Sequence, residues 1–161
     1  MSNPRNLYYL DTSALTKLYL TEPGSRKLVR WFGSRIHGFL PSVELWVSRL
    51  GFPEVVSAIV RRRNTGTLTP AAARRLWLQA FNDFYLPKSP YAIIDPVQSI
   101  VHHAALLVAG HGLRGYDAVH LASALRLQNI LALGTSVVFV SADQRLNRAA
   151  TAERLSVADP T

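Results

Sequence analysis

The 161-residue chain contains no cysteine. This absence excludes a disulfide scaffold, a thiolate zinc site and a cysteine nucleophile. Acidic residues are also scarce, with ten Asp and Glu against eighteen Lys and Arg. No stretch approaches the roughly 20 consecutive apolar residues that a membrane helix needs. We therefore expect a protein that does not enter a membrane and that works in the cytoplasm.

The remaining composition is that of a folded protein with a basic surface. Hydrophobic residues make up 48% of the chain and charged residues 17%, which is typical of a packed globular protein. The length predicts a single domain that spans residues 1–161. The net charge is +8, and fifteen of the eighteen cationic residues are Arg, which pairs bidentately with phosphate. This excess favours a nucleic-acid partner, although the coding bias of a genome also produces it.

Short apolar runs alternate with amphipathic segments along the chain. The runs predict strands at residues 7–10, 44–50, 91–94, 136–141 and 155–157. The amphipathic segments predict helices at residues 13–20, 25–32, 52–63, 70–85, 96–108, 116–128 and 144–151, and residues 37–43 are predicted to form a loop. Alternation of this kind indicates a three-layer α/β/α sandwich with a central parallel sheet.

Four of the acidic residues occupy informative positions. Asp11 directly follows the first predicted strand, and Asp143 follows the strand at 136–141 by two residues. Ligands of open α/β sheets bind at the carboxyl ends of the strands, so both acids are expected in one crevice. Glu54 and Asp117 lie in the first turns of two predicted helices. Acids favour that position through the helix dipole alone, so each of these two has a purely structural explanation as well.

The surroundings of Glu54 and Asp117 are mostly apolar or small, which predicts partial burial of both carboxylates. A buried carboxylate is costly unless it is paired or binds a metal, and Arg61 and Arg114 are the nearest candidate partners in sequence. Four carboxylates in one cleft would repel one another, and Mg²⁺ or Mn²⁺ would relieve that repulsion. On a basic protein, such a site suggests hydrolysis of phosphodiester bonds.

Four segments of the sequence surround the four acids: YLDTSAL at residues 9–15, EVVSAI at 54–59, RGYDAVHLASA at 114–124 and VSADQRL at 140–146. Together they resemble PIN-domain ribonucleases of the VapC toxin type. The resemblance covers nearly the whole chain, in the order and at about the spacing of the family. One departure is the stretch 36–51, which is longer than expected before the helix that carries Glu54.

The resemblance implies a PIN-like fold and a Mg²⁺- or Mn²⁺-dependent endoribonuclease. Asp11 and Asp117 match the most direct metal ligands of the family. Glu54 would bind metal directly or through water and orient the attacking water, and Asp143 would act through water. The residues that would support these acids by hydrogen bonds are Thr12, Ser13 and Ser141. The resemblance further implies a toxin that forms a homodimer and is inhibited by a cognate antitoxin protein.

Two alternatives belong to other functional classes. The first is a catalytically inactive module that binds RNA or protein. The second is a phosphatase with Asp11 as nucleophile, similar to the haloacid dehalogenase type. That class typically has a second Asp two residues later, where this chain has Ser13. The nearby His120, one turn after Asp117, would contact substrate or antitoxin, but its apolar setting favours a packed histidine.

Overall fold

The computed structural model describes residues 6–34, 38–40, 43–131 and 135–161. The helices of these residues are α1 (Thr12–Leu15), α2 (Ser25–Phe32), α3 (Gly51–Asn64), α4 (Pro70–Tyr85), α5 (Gln98–His111), α6 (Gly115–Ile130) and α7 (Gln144–Ala152), with a 3₁₀ turn at Thr16–Leu18. The strands are β1 (Asn6–Leu10), β2 (Gly33–Ser34), β3 (Gly38–Phe39), β4 (Glu44–Ser48), β5 (Ala92–Ile94), β6 (Ser136–Val140) and β7 (Ser156–Ala158).

The central sheet has five parallel strands in the order β5-β4-β1-β6-β7. The strand β1 is central: β4 and β5 lie on one side of it, and β6 and β7 lie on the other. The strand order therefore reverses at β1 and β6, and the crevice at their carboxyl ends is where open α/β sheets bind ligands. The predicted parallel sheet is confirmed.

Alternate residues of β1 face two separate cores, which is the expected period of a strand. Tyr9 is fully buried in a core formed with α5, α6 and α7, and its ring stacks on Phe139 at a centroid distance of 5.8 Å. Leu10 is fully buried in the opposite core, which α1, α2, α3 and α4 cover. The three predicted layers are therefore present, with the sheet between two helical layers.

Two segments differ from the sequence prediction. The helix predicted at 13–20 is divided, because α1 ends at Leu15 and tightens into the 3₁₀ turn. The loop predicted at 37–43 contains the strand β3, which pairs antiparallel with β2. Part of both the predicted loop and the long stretch 36–51 lies outside the described residues. No helix in the described part of the chain is long and apolar enough to cross a membrane.

Candidate active site

Asp11 sits at the centre of the sheet edge, held by one backbone hydrogen bond and by three hydrogen bonds to its carboxylate. Its backbone N–H bonds the Val140 carbonyl at 3.1 Å, which anchors it at the carboxyl ends of β1 and β6. Asp11 is the N-cap of α1, and its Oδ1 accepts a hydrogen bond from the Ala14 N–H at 3.0 Å. The hydroxyl of Ser13 donates to Oδ1 at 2.7 Å, and that of Ser141 donates to Oδ2 at 3.0 Å. The carboxylate is therefore rigidly oriented.

Burial dominates the electrostatics of Asp11, which is only 4% exposed. Burial raises the pKa of this carboxyl, although His120 and the three hydrogen bonds oppose the rise. A raised pKa means that the charged form is less favourable here than in water. Asp11 thus holds a negative charge at a place where a cation would be strongly stabilised.

Glu54, in the first turn of α3, contacts two other elements through one carboxylate oxygen. Oε2 lies 2.7 Å from Nε2 of His120, and it accepts a short hydrogen bond from the Thr12 hydroxyl. Burial alone would raise the pKa of Glu54, but His120 and Thr12 hold it below its ordinary range. Glu54 is therefore ionised and fixed in place.

Asp117 lies in the first turn of α6 and is partly buried. Its pKa is raised, first by burial and then by the negative charges of Asp143 and Glu54, while His120 and Arg114 oppose the shift. No hydrogen bond or ion pair with a described residue compensates its carboxylate. The repulsion shows that Asp117 shares one electrostatic environment with the two other acids.

Asp143 is exposed and forms the N-cap of α7. Its Oδ1 accepts from the backbone N–H groups of Arg145 at 2.8 Å and Leu146 at 2.9 Å. The backbone N–H of Asp143 donates to the Ser141 hydroxyl at 3.0 Å, and that hydroxyl in turn donates to Asp11. Ser141 therefore links the two acids that follow β1 and β6.

Replacing Asp143 with alanine separates its structural contribution from any other role. Asp143→Ala removes the acceptor for two N–H groups, so we expect the free energy of unfolding in EDTA to fall by about 1 kcal/mol. Asp143→Asn is the matched control, because asparagine caps a helix equally well. Urea unfolding of the three proteins measures the effect. Equal stability of the alanine variant and the wild type would contradict the capping role.

The predicted acids and supporting hydroxyls converge on one edge of the sheet, but not as a ready-made ligand set. Within the described ranges, no group of three or more acidic or histidine side chains is arranged to hold a metal ion. Mg²⁺ keeps several waters and usually takes only one or two carboxylates, so it does not need such a set. The all-oxygen donors and the raised pKa values of Asp11 and Asp117 both fit a hard divalent cation.

Two contacts near Glu54 differ from the sequence interpretation. Arg61, the nearest candidate partner in sequence, donates instead to the Ser57 hydroxyl at 2.8 Å. The partner of Glu54 is His120, which is 2% exposed and thus packed, as its apolar setting favours. Its contact with Glu54 was missed because the two residues lie 66 positions apart. The sequence feature that could have indicated this contact is a single histidine, one turn after Asp117 on an otherwise apolar helix.

Comparison with known proteins gives a consistent family. The model of the PIN domain family matches residues 8–152. Ribonuclease VapC45 of Mycobacterium tuberculosis is 35% identical over 157 residues, which cover 94% of both chains. PAE2754 from Pyrobaculum aerophilum superposes with a TM-score of 0.63 at 18% identity, over 99% of this chain and 93% of that one. A toxin–antitoxin complex from Klebsiella pneumoniae superposes with a TM-score of 0.62 at 15% identity, over 96% and 98%.

Proposed function

The chain belongs to the PIN-domain family, and from this premise we propose that it is an endoribonuclease that uses Mg²⁺ or Mn²⁺. Its 35% identity to a VapC ribonuclease along nearly the whole length supports hydrolysis of RNA. The observation that carries the metal requirement is electrostatic. Two acids with raised pKa values, Asp11 and Asp117, share a sheet edge on a chain of net charge +8.

We assign the cation to Asp11 and Asp117. The rigid orientation of Asp11 supports this choice, as does the carboxylate of Asp117, which has no hydrogen bond or ion pair with a described residue. Asp143 would act through water, since one of its oxygens is committed to capping α7. The hydroxyls of Thr12, Ser13 and Ser141 would hold the acids in place, because each donates to Glu54 or Asp11. Partners of this kind orient metal ligands in many proteins.

The chemistry divides between the cation and Glu54. When bound, the cation would polarise the scissile phosphate and lower the pKa of the attacking water. Glu54 is ionised, and no hydrogen bond from a described residue reaches its Oε1. That oxygen is the acceptor that would orient the water and take its proton. The exposed Arg114, beside Asp117, supplies positive charge for the RNA backbone.

We further propose that the protein is the toxin of a toxin–antitoxin pair and acts in the cytoplasm, where RNA is available. Its structural similarity to the toxin–antitoxin complex from Klebsiella pneumoniae supports an antitoxin partner. A homodimer is also proposed. The apolar cleft of about 480 Å³ between α5 and α6 is lined by Val101, Val108 and Tyr116, and it offers an apolar surface for contacts between the two copies of the homodimer.

Cleavage of RNA by the purified protein tests the proposal directly. We expect cutting in Mg²⁺ or Mn²⁺ and none in EDTA, because without the cation nothing offsets the charge on the phosphate and the acids. Structured and unstructured RNAs are compared, and restoring Mg²⁺ to the EDTA sample controls for irreversible damage. Undiminished cutting in EDTA would contradict the metal requirement. No cutting of any RNA by a folded, monodisperse sample would favour an inactive binding module.

A further inference from the structure

His120 joins three elements of the candidate active site. It projects from α6, three residues after Asp117, and its side chain is almost completely buried. Nε2 lies 2.7 Å from Glu54 Oε2 on α3 and 3.0 Å from Thr12 Oγ1 on α1. Nδ1 lies 3.0 Å from the hydroxyl of Tyr9 on β1. Among the described residues, His120 therefore links the helix that carries Asp117 directly to Glu54, and Thr12 contacts both side chains.

The partners of the ring determine where its protons lie. An ionised carboxylate only accepts hydrogen bonds, so Nε2 must carry the proton that faces Glu54. In the neutral ring, Nδ1 then accepts from the Tyr9 hydroxyl, which burial keeps protonated by raising the pKa of the phenol. In the charged ring, Nδ1 donates to the same oxygen. The bond from Nε2 to Glu54 is therefore the same in either state.

The two carboxylate oxygens of Glu54 therefore have different hydrogen-bonding environments. Oε2 receives donors from both His120 and Thr12, whereas no donor from the described residues reaches Oε1. A glutamate with one oxygen fixed by two donors has its remaining oxygen aimed in one direction. The hydrogen bond between the Tyr9 hydroxyl and Nδ1 in turn restrains rotation of the His120 imidazole about its Cβ–Cγ bond.

We propose that His120 is a positioning residue, which aims Oε1 of Glu54 at the attacking water and, through Tyr9, sets the distance between Glu54 and Asp117. The inference rests on the proposed nuclease function. It differs from simple packing because a buried ring needs only apolar neighbours, whereas this ring has a hydrogen-bond partner on each nitrogen. Both partners belong to elements that carry a candidate acid or directly precede one.

The test compares a variant that fills the space with one that also keeps the donor. His120→Leu keeps apolar volume but removes the Nε2 donor that faces Glu54. His120→Gln keeps an N–H near the position of Nε2. Glu54 would contact the cation through a water molecule, and loss of an outer partner that orients such a group typically costs 10–100-fold in activity or metal affinity. We expect a kcat loss of that size for His120→Leu, with little change in KM for RNA, and recovery of most of it in His120→Gln.

A second histidine provides the matched control. His111 Nε2 also lies 2.7 Å from a glutamate, Glu153, which is not one of the candidate acids. His111→Gln should therefore cleave RNA at the wild-type rate. The melting temperature of every variant is measured in EDTA. If His120→Leu does not fold, Tyr9→Phe, which removes only the hydroxyl that holds Nδ1, takes its place, and a smaller kcat loss is expected from a variant that is still folded at the assay temperature.

Titration with Mn²⁺ supplies a readout that does not depend on cleavage. We expect His120→Leu to bind Mn²⁺ more weakly than both the wild type and His120→Gln. Wild-type kcat and Mn²⁺ affinity in His120→Leu would overturn the proposal, as would an equal kcat loss in the leucine and glutamine variants. If the wild type cleaves no RNA, the nuclease proposal fails, and the Mn²⁺ comparison alone then decides the positioning role.

Discussion

Asp11→Asn and Asp117→Asn are expected to abolish RNA cleavage while the fold survives. Asparagine keeps the shape of Asp11, and its side-chain oxygen can still accept from the Ala14 N–H and the Ser13 hydroxyl. Its amide faces Ser141, whose hydroxyl can reverse and accept. Asp117 has no such bonds to lose among the described residues. Each substitution thus removes one negative charge and little else.

The size of the loss follows from the role of that charge. Removing one group that stabilises charge in a transition state typically costs about 10²–10³ in kcat, and we expect at least this loss for each variant. Single-turnover cleavage of one RNA substrate in saturating Mg²⁺ measures it. In saturating Mg²⁺, weak binding of the cation no longer limits the rate, so a slower rate reports slower chemistry.

Asp95 offers the control for this experiment. It also follows a strand of the sheet, β5, at the carboxyl end, but it is exposed and pairs with Arg49. Asp95→Asn should retain the wild-type rate, since Asp95 lies outside the candidate acids. A wild-type rate in either Asp11→Asn or Asp117→Asn would remove that residue from the active site.

The positions of the acids were predictable because each depends on local signals. Asp11 ends an apolar run, Asp143 precedes a helix, and Glu54 and Asp117 stand in first turns, so the parallel sheet brings the strand-end acids to one edge. The contact between His120 and Glu54 was not predictable. It depends on how α3 and α6 meet across the sheet, and no local pattern encodes the separation of two helices on different parts of the chain.

The same distinction explains the errors in secondary structure. The pairing of β2 with β3 involves two residues on each side and leaves no periodicity to detect. In the predicted helix at 13–20, the apolar spacing is present, but the Thr16 hydroxyl donates back to the Thr12 carbonyl at 2.9 Å. Competition of this kind between side chain and backbone favours turns over continued helix.

The stability of the metal-free protein is expected to depend on pH in a way that identifies Asp11. Its pKa is raised in the folded state, so the folded protein binds this proton more tightly than the unfolded chain does. Its contribution to stability is therefore complete below the unfolded value of about 3.9 and is lost as the pH rises through the raised folded value. Asp11→Asn cannot undergo this loss. In EDTA it should be more stable than the wild type at pH 7, with the difference shrinking towards acid.

Mg²⁺ should reverse this order at pH 7. A cation that binds only the folded wild type adds about 2.7 kcal/mol to the free energy of unfolding at 100 times its Kd, and Asp11→Asn should gain little of that.

Asp95→Asn provides a control, because the pH dependence that Asp95 contributes has the opposite direction. Arg49 lowers the pKa of Asp95, so its stabilisation is present above the unfolded pKa and is lost as the pH falls. Urea unfolding from about pH 2.5 to 7.5 follows all three proteins, so that the range extends below the unfolded pKa of Asp95. Equal stabilisation of Asp11→Asn and wild type by Mg²⁺ would exclude Asp11 as a ligand. Metal binding and folding are thus linked through one buried charge, and this link can be measured without knowing the RNA target.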